Sequence, residues 1–353
     1  MTFTVRHDSL TLAFRDPFRI ARATDTHAAR TVITHLRDEK SGDEGVGEAF
    51  AEPYYGETMD TVPVVLPLLA RAVDTVAEDL RGDRSRAVPA LEAASAAMNQ
   101  ALGHHGGAKA GIDIALHDLV GKRLGLPVFE LLGLSPDVPP TDFTLGIDDP
   151  HVVAERAKRA AKFPALKIKL GGPGDMATLE AVRGVYGGPI RVDANTGWEP
   201  EAALRLIPEL VRLGVELIEQ PFPRHRLDQL RWLQERSSLP IVADESSVDI
   251  DDLENLVGVV AGVNVKLSKC GGVGPARRML ERARELGFKT FLGCMEETTV
   301  GIAASAAVAS LADWVDLDGN LLLAVDPYTG LELGSDCRWR LSSEPGLGVR
   351  PRV

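Results

Sequence analysis

Acidic residues that could bind a metal stand at the ends of short apolar runs in the middle of the chain. Asp193 lies in VDAN, Glu219 in IEQP and Asp244 in ADES, at almost equal intervals. With no Cys or His beside them, they offer only oxygen ligands, which hard divalent cations such as Mg²⁺ prefer. One such acid alone would more often be a helix cap or a barrel-end residue. Three in phase predict a metal site.

Three lysines accompany these acids. Lys167 and Lys169 in LKIKL precede them, and Lys266 in VNVKLSK follows. Because Lys167 and Lys169 are two positions apart on a predicted strand, both side chains point to the same side. A lysine that is partly desolvated beside a cation loses proton affinity and can act as a base near neutral pH. With Lys266 across the site, one carbon could lose a proton on one face and regain it on the other. The alternative is a buried ion-pair network between the lysines and the acids.

The interval between these motifs predicts the elements that position them. A strand, a crossover helix and two loops together take roughly 30 residues. Near-continuous apolar runs are typical of parallel strands that are covered on both faces, and the segments 200–213 and 274–286 between them have helix signals. Strand candidates occur at 141–147, 165–170, 190–195, 215–221, 241–246, 262–269, 289–296 and 314–318. We therefore expect an α/β fold, a TIM barrel with its acids and lysines at the strand ends.

The chain of 353 residues is longer than one barrel, which takes about 250 residues. The N-terminal part contains three strand candidates and two helix candidates, at 2–6, 30–36, 45–50, 58–82 and 89–104. We expect an N-terminal α+β domain over 1–125, the barrel over 126–325, and a C-terminal segment over 326–353 that returns to the first domain.

These motifs together resemble the muconate-lactonizing subgroup of the enolase superfamily. The resemblance extends along the chain and includes AKAGIDIALHDLVGKRLGLPVFELLG at 108–133, LKIKLGG, RVDANTGW, IEQPFP, ADESS and VNVKLSKCGG. It implies a modified (β/α)7β barrel of the TIM type with an N-terminal α+β capping domain, and it implies a Mg²⁺ cofactor.

The resemblance also implies a role for each motif residue. Lys169 and Lys266 would be the catalytic acid and base, and Lys167 would assist at the substrate carboxylate. The Mg²⁺ ligands implied by the resemblance are Asp193, Glu219 and Asp244.

The WVDLDG segment at 314–319 resembles the DxD motif of the dipeptide epimerases in this subgroup. In those enzymes the two acids, here Asp316 and Asp318, receive the ammonium group of a dipeptide, and two carboxylates on one strand face suit that charge. The resemblance implies that two lysines invert the α-carbon of the C-terminal residue through an enediolate. Three alternatives remain: a helix-capping role for the two acids, an N-acyl (N-succinyl) amino acid racemase or cycloisomerase with the same lysines, and a non-catalytic metal-binding barrel.

Substrate selection is expected to depend on a lid loop at 16–26, whose Phe18 and Arg22 would contact the substrate. In Ala-Glu epimerases an arginine of this loop meets the glutamate side chain, but the best register puts Ala23 there and Arg22 one residue earlier. Glu296 replaces a residue that is commonly apolar in the subgroup. An additional carboxylate near the pocket would favour a cationic side chain, unless Glu296 faces the helices instead.

Composition excludes several other classes. A formal net charge of −12 disfavours nucleic-acid binding, which needs a basic surface. The sequence has neither a basic start segment with an apolar core nor an apolar run that could span a membrane, so we expect a cytoplasmic protein. Three cysteines without CxxC spacing predict reduced thiols and no zinc site. Family precedent predicts a homo-oligomer that acts on a small molecule, a dipeptide.

Overall fold

The N-terminal part of the chain forms an antiparallel sheet that packs against helices. The structure is a computed structural model, and it describes residues 2–22 and 27–353. The strands pair in the order β1-β2-β3 and are Phe3–Ala13 (β1), Ala28–Asp38 (β2) and Glu44–Phe50 (β3). The helices are Thr61–Val73 (α1), Ala77–Leu80 (α2), Arg84–Ala101 (α3) and Gly106–Leu124 (α4), with 3₁₀ turns at Pro53–Tyr55 and Asp74–Val76. We call β1–β3 and α1–α4 the capping domain.

Helix α4 lies at the centre of the molecule. Its residues are buried from Gly107 through Gly121, as expected of a helix that is covered on all sides. It approaches β3 very closely, because a Cβ at Gly45 or Gly47 would overlap carbonyl oxygens of α4. The glycines of GVGEA therefore let the strand lie directly on the helix.

Eight parallel strands form the second unit, and each is hydrogen-bonded to the next in chain order. A bridge between Thr141 and Val315, with a hydrogen bond of 3.0 Å from the Asp142 N–H to the Val315 carbonyl, brings the last strand beside the first. The strands are Phe143–Leu145 (β4), Leu166–Lys169 (β5), Ile190–Asp193 (β6), Val215–Glu219 (β7), Ile241–Ala243 (β8), Gly262–Val265 (β9), Lys289–Gly293 (β10) and Trp314–Asp316 (β11). The predicted TIM-type barrel with a capping domain is confirmed.

One short helix precedes the first barrel strand, and the others follow the barrel strands along the chain. They are Val128–Leu131 (α5), Pro150–Arg159 (α6), Asp175–Arg183 (α7), Pro200–Arg212 (α8), Leu227–Gln234 (α9), Leu253–Leu256 (α10), Leu267–Cys270 (α11), Val273–Glu285 (α12), Thr299–Ala306 (α13) and Gly319–Leu322 (α14), with 3₁₀ turns at Ile250–Asp252 and Ala309–Leu311. The predicted helices at 200–213 and 274–286 are confirmed to within one residue at each end. No helix in the described part of the chain is long and apolar enough to cross a membrane.

Two helix predictions for the capping domain differ from the structure in their bounds. The predicted helix at 58–82 is interrupted by the 3₁₀ turn that follows Val73. The second helix begins at Arg84 rather than at Pro89, because the Asp83 side chain accepts hydrogen bonds from the backbone N–H groups of residues 85 and 86. A side-chain cap satisfies N–H groups that a helix start leaves open, so Pro89 is accommodated inside the helix instead of starting it.

The C-terminal segment forms two short antiparallel pairs. Tyr328–Thr329 pairs with Arg350–Pro351, and Glu332–Leu333 pairs with Trp339–Arg340. Farther along, the Leu347 N–H donates to the Asp118 carboxylate of α4 at 2.8 Å, so the segment contacts the capping domain. The domain limits at residues 125 and 325 stay a prediction.

Candidate active site

The predicted catalytic and metal-binding residues all lie where barrel strands end. Lys169, Asp193 and Glu219 are the last residues of β5, β6 and β7, while Asp244 and Lys266 directly follow β8 and β9. All five are buried. Because the carboxyl ends of parallel barrel strands meet at one mouth, the fold brings these side chains together.

The three acids form one cluster at this mouth. One carboxylate oxygen from each of Asp193, Glu219 and Asp244 lies within 4.8 Å of the others. Glu219 Oε2 is buried and accepts no hydrogen bond, although Lys167 Nζ lies 2.8 Å from it. A buried oxygen without a hydrogen bond, within a set of three carboxylates, fits a hard divalent cation. The residues present therefore fit Mg²⁺.

Each lysine contacts a different part of the carboxylate cluster. Lys169 Nζ lies 2.7 Å from Asp193 Oδ2, and Lys266 Nζ lies 2.9 Å from Asp244 Oδ2. Lys167 Nζ lies between the acids, 2.8 Å from Glu219 Oε2 and 3.4 Å from Asp193 Oδ2. Lys169 and Lys266 extend from β5 and β9, which are four strands apart in the ring of eight. They therefore approach the mouth from opposite sides.

Burial and mutual contact shift the pKa values of these groups in different directions. Burial and the charge of Asp193 raise the pKa of Glu219 to about 7. Burial would also raise the pKa of Asp244, but Lys266 and Lys269 hold it well below its usual value. Burial would lower the pKa of Lys266, yet the attraction of Asp244 outweighs burial and raises it. The predicted loss of lysine proton affinity assumed a bound cation. Without that cation, the carboxylates raise the pKa of Lys266.

Lys269 is a residue of the site that the sequence reasoning missed. Its Nζ donates to Asp244 Oδ1 at 2.5 Å and to the backbone carbonyls of Asp244, Ser247 and Asn264. The side chain is buried, so the ammonium group fixes the loop that carries Asp244. The available signal was the second lysine of KLSK, three residues after Lys266, which the turn of α11 directs back toward the mouth.

Gln220 was missed in the same way. Its side-chain oxygen accepts from the backbone N–H groups of Asp244 and Ser246, and its Nε2 donates to Ser246 Oγ and the Phe222 carbonyl. Its backbone has a φ of 34°, in the left-handed region that residues other than glycine seldom adopt. Such conformations persist where surrounding bonds over-determine them, and they cluster at functional sites. The loop after Glu219 is therefore held in one shape.

The two acids of the DxD segment are buried behind the mouth. Thr144 Oγ1 donates to Asp316 Oδ1 at 3.0 Å, and the Thr144 N–H donates to Asp318 Oδ2 at 2.6 Å. Burial would raise the pKa of Asp316, but Lys167, 2.9 Å away, lowers it. Burial and the charge of Asp316 raise the pKa of Asp318 well above its usual value. The Asp318 side chain makes no cap bond to α14, so the helix-capping alternative has no support.

A cavity of about 350 Å³ opens onto this cluster, within the usual range for small-molecule sites. Of the predicted site residues, those that line the cavity are Phe18, Arg22, Lys169, Asp244, Lys266 and Glu296. The other predicted residues lie behind these: Lys167, Asp193, Glu219, Asp316 and Asp318.

Arg22 and Glu296 occupy different situations on the cavity wall. The Arg22 guanidinium donates to Glu245 and lies 4.3 Å from the centre of the Tyr54 ring, so protein groups already engage it. Glu296 lines the cavity, which favours the expectation that it faces the pocket over the alternative that it faces the helices. Ala23, the other lid position considered, lies outside the described residues.

Known proteins similar to this chain share one fold and a related set of activities. Residues 1–133 match the mandelate racemase / muconate lactonizing enzyme N-terminal domain, and residues 152–352 match the enolase C-terminal domain-like family. An L-Ala-D/L-Glu epimerase from Bacteroides thetaiotaomicron is 37% identical over 341 residues, which cover 96% of this chain and 85% of that protein. An L-Lys-D/L-Arg epimerase from Methylococcus capsulatus is 35% identical over 362 residues, covering 97% of this chain and 96% of that protein. A dipeptide epimerase from Enterococcus faecalis, solved with Mg and L-Leu-L-Tyr, is 32% identical and covers 99% of each chain with a TM-score of 0.87.

Proposed function

The chain belongs to the mandelate racemase / muconate lactonizing enzyme family of the enolase superfamily, and we propose that it is a Mg²⁺-dependent dipeptide epimerase. The observation that carries this proposal is the pair of buried lysines, Lys169 and Lys266, on opposite sides of a three-carboxylate cluster. The epimerase names of the relatives support it.

The carboxylate end of the substrate is proposed to lie at the metal cluster. Asp193, Glu219 and Asp244 would hold the Mg²⁺, which when bound supplies electrostatic stabilisation as negative charge develops on the substrate carboxylate. Lys167 adds a buried ammonium group beside the same acids. Its positive charge would also bind the substrate carboxylate, because an ionised donor forms a strong hydrogen bond with it.

Proton transfer at the α-carbon is assigned to the two lysines. One lysine removes the α-proton from one face, and the other, in its ammonium form, delivers a proton to the opposite face. Each has its own carboxylate partner, Asp193 for Lys169 and Asp244 for Lys266, which stabilises the ammonium form. Because the protons leave and return on opposite faces, the configuration of the carbon is inverted.

A dipeptide fits this chain better than an N-succinyl amino acid does. Three buried carboxyl groups, those of Asp142, Asp316 and Asp318, lie close enough together to perturb one another's pKa values around Thr144. Asp142 is paired with Arg191 and Asp316 with Lys167, each at 2.9 Å, whereas Asp318 has no ion-pair partner among the described residues. A buried acidic group is stabilised by a cation, and a free dipeptide brings an ammonium group. An N-acyl substrate has no such charge, and its own carboxylate would be repelled.

The experiment is proton exchange at the α-carbon in D₂O, followed by mass spectrometry and chiral separation of dipeptides incubated with Mg²⁺. Lys169→Ala and Lys266→Ala should each abolish inversion, while the remaining lysine still exchanges the α-proton of the one isomer that faces it. Lys158→Ala, an exposed lysine on α6, is the matched control and should retain both activities.

Three outcomes would contradict the proposal. Inversion at the wild-type rate in Lys266→Ala would remove the two-lysine mechanism. Exchange in N-succinyl amino acids without exchange in dipeptides would favour the racemase alternative. No Mg²⁺-dependent exchange in either class would favour a non-catalytic metal-binding barrel.

A further inference from the structure

The carboxylates on the cavity wall differ in whether the protein already neutralises them. Asp244 is bound by the ammonium groups of Lys266 and Lys269. Glu296 forms no ion pair within the described residues, and its own backbone N–H is the group that bonds it. Glu52 accepts a hydrogen bond of 3.0 Å from the Tyr54 N–H through one oxygen and likewise has no ion-pair partner there. Glu52 and Glu296, together with the more exposed Asp60 at the rim, therefore line the cavity without an ion-pair partner among the described residues.

Glu296 lies close to the place where the chemistry is proposed to occur. Burial raises its pKa, the charges of Lys169 and Lys266 lower it, and Glu52 acts on it through like-charge repulsion. Because Glu296, Lys169 and Lys266 line one cavity, a side chain on the carbon between the two lysines, the α-carbon of the epimerised residue, enters the same space as Glu296. A half-buried carboxylate in this position is stabilised when a ligand supplies a cation.

The rest of the wall suits an aliphatic stem. The apolar residues that line the same cavity include Phe18, Ile20, Phe50, Met59 and Met295. Lysine and arginine side chains pack their methylene groups against apolar surface while the charged end reaches a polar partner. A cavity with apolar walls and, among the described residues, unpaired carboxylates at Glu52 and Glu296 matches that distribution of apolar and charged groups.

The same cavity wall is unfavourable for an acidic side chain of the substrate. The cations on the wall are already engaged: Arg22 with Glu245, Lys169 with Asp193, and Lys266 with Asp244. Arg30, which also lines the cavity, takes part in an interaction of its own. A glutamate side chain would therefore face Glu52 and Glu296 without an available cation. A purely apolar side chain would cover Glu296 and leave its charge without water.

We infer that the cavity selects dipeptides whose C-terminal, epimerised residue carries a cation on an aliphatic stem, and that Glu296, assisted by Glu52, is the specificity-determining acceptor. This inference rests on the proposed dipeptide epimerase activity and names its substrate class. The relatives do not decide the class by name, since their names indicate glutamate, cationic and other substrates at similar identities.

The test compares isosteric pairs of substrates on the same enzyme preparation with Mg²⁺. The kcat/KM for deuterium exchange is measured for L-Ala-L-Arg against L-Ala-L-citrulline, L-Ala-L-Lys against L-Ala-L-norleucine, and L-Ala-L-Glu alone. We expect each cationic dipeptide to exceed its neutral partner by about tenfold or more, the usual worth of a hydrogen bond to a charged group. A kcat/KM for the citrulline or glutamate dipeptide equal to that for the arginine dipeptide would overturn the inference.

Variants identify the acceptor. Glu296→Gln should reduce the arginine-to-citrulline ratio to near one, and Glu52→Gln should reduce it less, because one Glu52 oxygen is already bonded to Tyr54. Glu201→Gln removes an equal charge from the exposed start of α8 and should leave the ratio unchanged. A ratio does not depend on the fraction of protein that folds.

The possible results distinguish failure of the inferred cation preference from failure of the proposed epimerase activity. A wild-type preference that survives Glu296→Gln would show that the acceptor is wrongly assigned. Exchange in dipeptides without any preference for cations would overturn this inference and leave the proposed function standing. Absence of exchange in every dipeptide would overturn the proposed function itself.

Discussion

Two sets of buried carboxylates differ in the groups that neutralise them. At the barrel mouth, Asp193 and Asp244 contact lysine ammonium groups, and one oxygen of Glu219 accepts no hydrogen bond. Where the capping domain meets the barrel, Glu48 and Asp113 contact mainly backbone N–H groups. A backbone N–H cannot release its proton, whereas a lysine can, so the first set is suited to chemistry and the second to holding the domains together.

The second set caps barrel helices from outside the barrel. Glu48 on β3 accepts from the Thr298 N–H at 2.9 Å, the Thr298 hydroxyl at 2.6 Å and the Gly301 N–H at 2.9 Å, at the start of α13. Asp113 on α4 accepts from the Val273 N–H at 2.6 Å and the Gly274 N–H at 3.2 Å, at the start of α12. Acids are stabilised at helix N-termini by the open N–H groups and the helix dipole.

The largest effect is expected at the mouth. Chelation of the metal, or Asp193→Asn, should reduce α-proton exchange by about three orders of magnitude, because electrostatic stabilisation by a metal is worth several kcal/mol. Added Mg²⁺ should restore the chelated wild type. Exchange rates measured with and without a chelator check this prediction. Full activity in the presence of the chelator would show that the carboxylates at the mouth hold the structure together and do not serve catalysis.

The second-largest effect is expected for loss of the helix cap that Asp113 provides. Asp113→Ala leaves the N–H groups of Val273 and Gly274 buried without an acceptor, and we expect a loss of about 2–4 kcal/mol in the free energy of unfolding. Urea unfolding gives this value, and exchange activity per folded molecule should stay near the wild-type level. The comparison would fail if Asp113→Ala lost activity without losing stability.

Glu48→Gln tests a carboxylate that also affects a neighbour. Burial and the negative charge of Glu48 raise the pKa of Glu297 to about 8, while Lys266 lowers it and Glu296 raises it further. Glu297 Oε2 has no hydrogen-bond partner in the described structure, and with its raised pKa we expect Glu297 to hold its proton at neutral pH. We expect Glu48→Gln to move the Glu297 pKa down toward its usual value and to destabilise the protein by about 1–2 kcal/mol. Infrared spectra should show the carbonyl band of the protonated Glu297 carboxyl disappearing at lower pH in the variant.

The sign of the accompanying pH dependence follows from linkage. A carboxyl whose folded-state pKa is raised binds its proton more tightly in the folded protein, so the stability it contributes is complete below 4.5 and is lost as the pH rises toward 8. Glu297→Gln should remove this part of the slope from a plot of unfolding free energy against pH. An unchanged slope would mean that Glu297 is ionised in the folded protein.

The smallest effect is expected for exposed charges. Arg212 contacts Glu209 at 2.6 Å and Glu180 at 3.4 Å on the protein surface, where water and side-chain entropy cancel most of the attraction. Arg212→Ala should leave the urea midpoint unchanged within the error of the measurement. A clear shift would show that burial is not what separates important from unimportant carboxylate partners in this chain.

The fold was predictable because most barrel strands, β5 to β9 and β11, end at or directly before a motif residue. The apolar runs and their interval predicted all eight strands, and the resemblance predicted the family and an isomerase, both confirmed. The helix predicted at 89–104 begins five residues earlier, at Arg84, because Asp83 supplies the cap. Several residues that can cap or start a helix occur close together, and a single sequence does not show which of them the helix uses.

The partners within the site were less predictable than its residues. Arg22 was expected at the substrate, but it bonds Glu245, which is 223 positions away in the chain. Lys269 and Gln220 reach Asp244 only because three loops meet at the mouth. Such contacts depend on how loops from different strands pack, and neither periodicity nor spacing carries that information.

The capping of α13 by Glu48 also sets an order of events during synthesis. The acceptor precedes its first donor by 250 positions, and at about 5–20 residues per second a ribosome needs about 10–50 s to make that stretch. Until then the Glu48 carboxylate can bond only water and the Thr31 side chain of the same sheet, so the first sheet alone does not satisfy the charge that it would bury. The N-terminal part of the nascent chain therefore cannot complete its folding until α13 has been synthesised, near the end of translation.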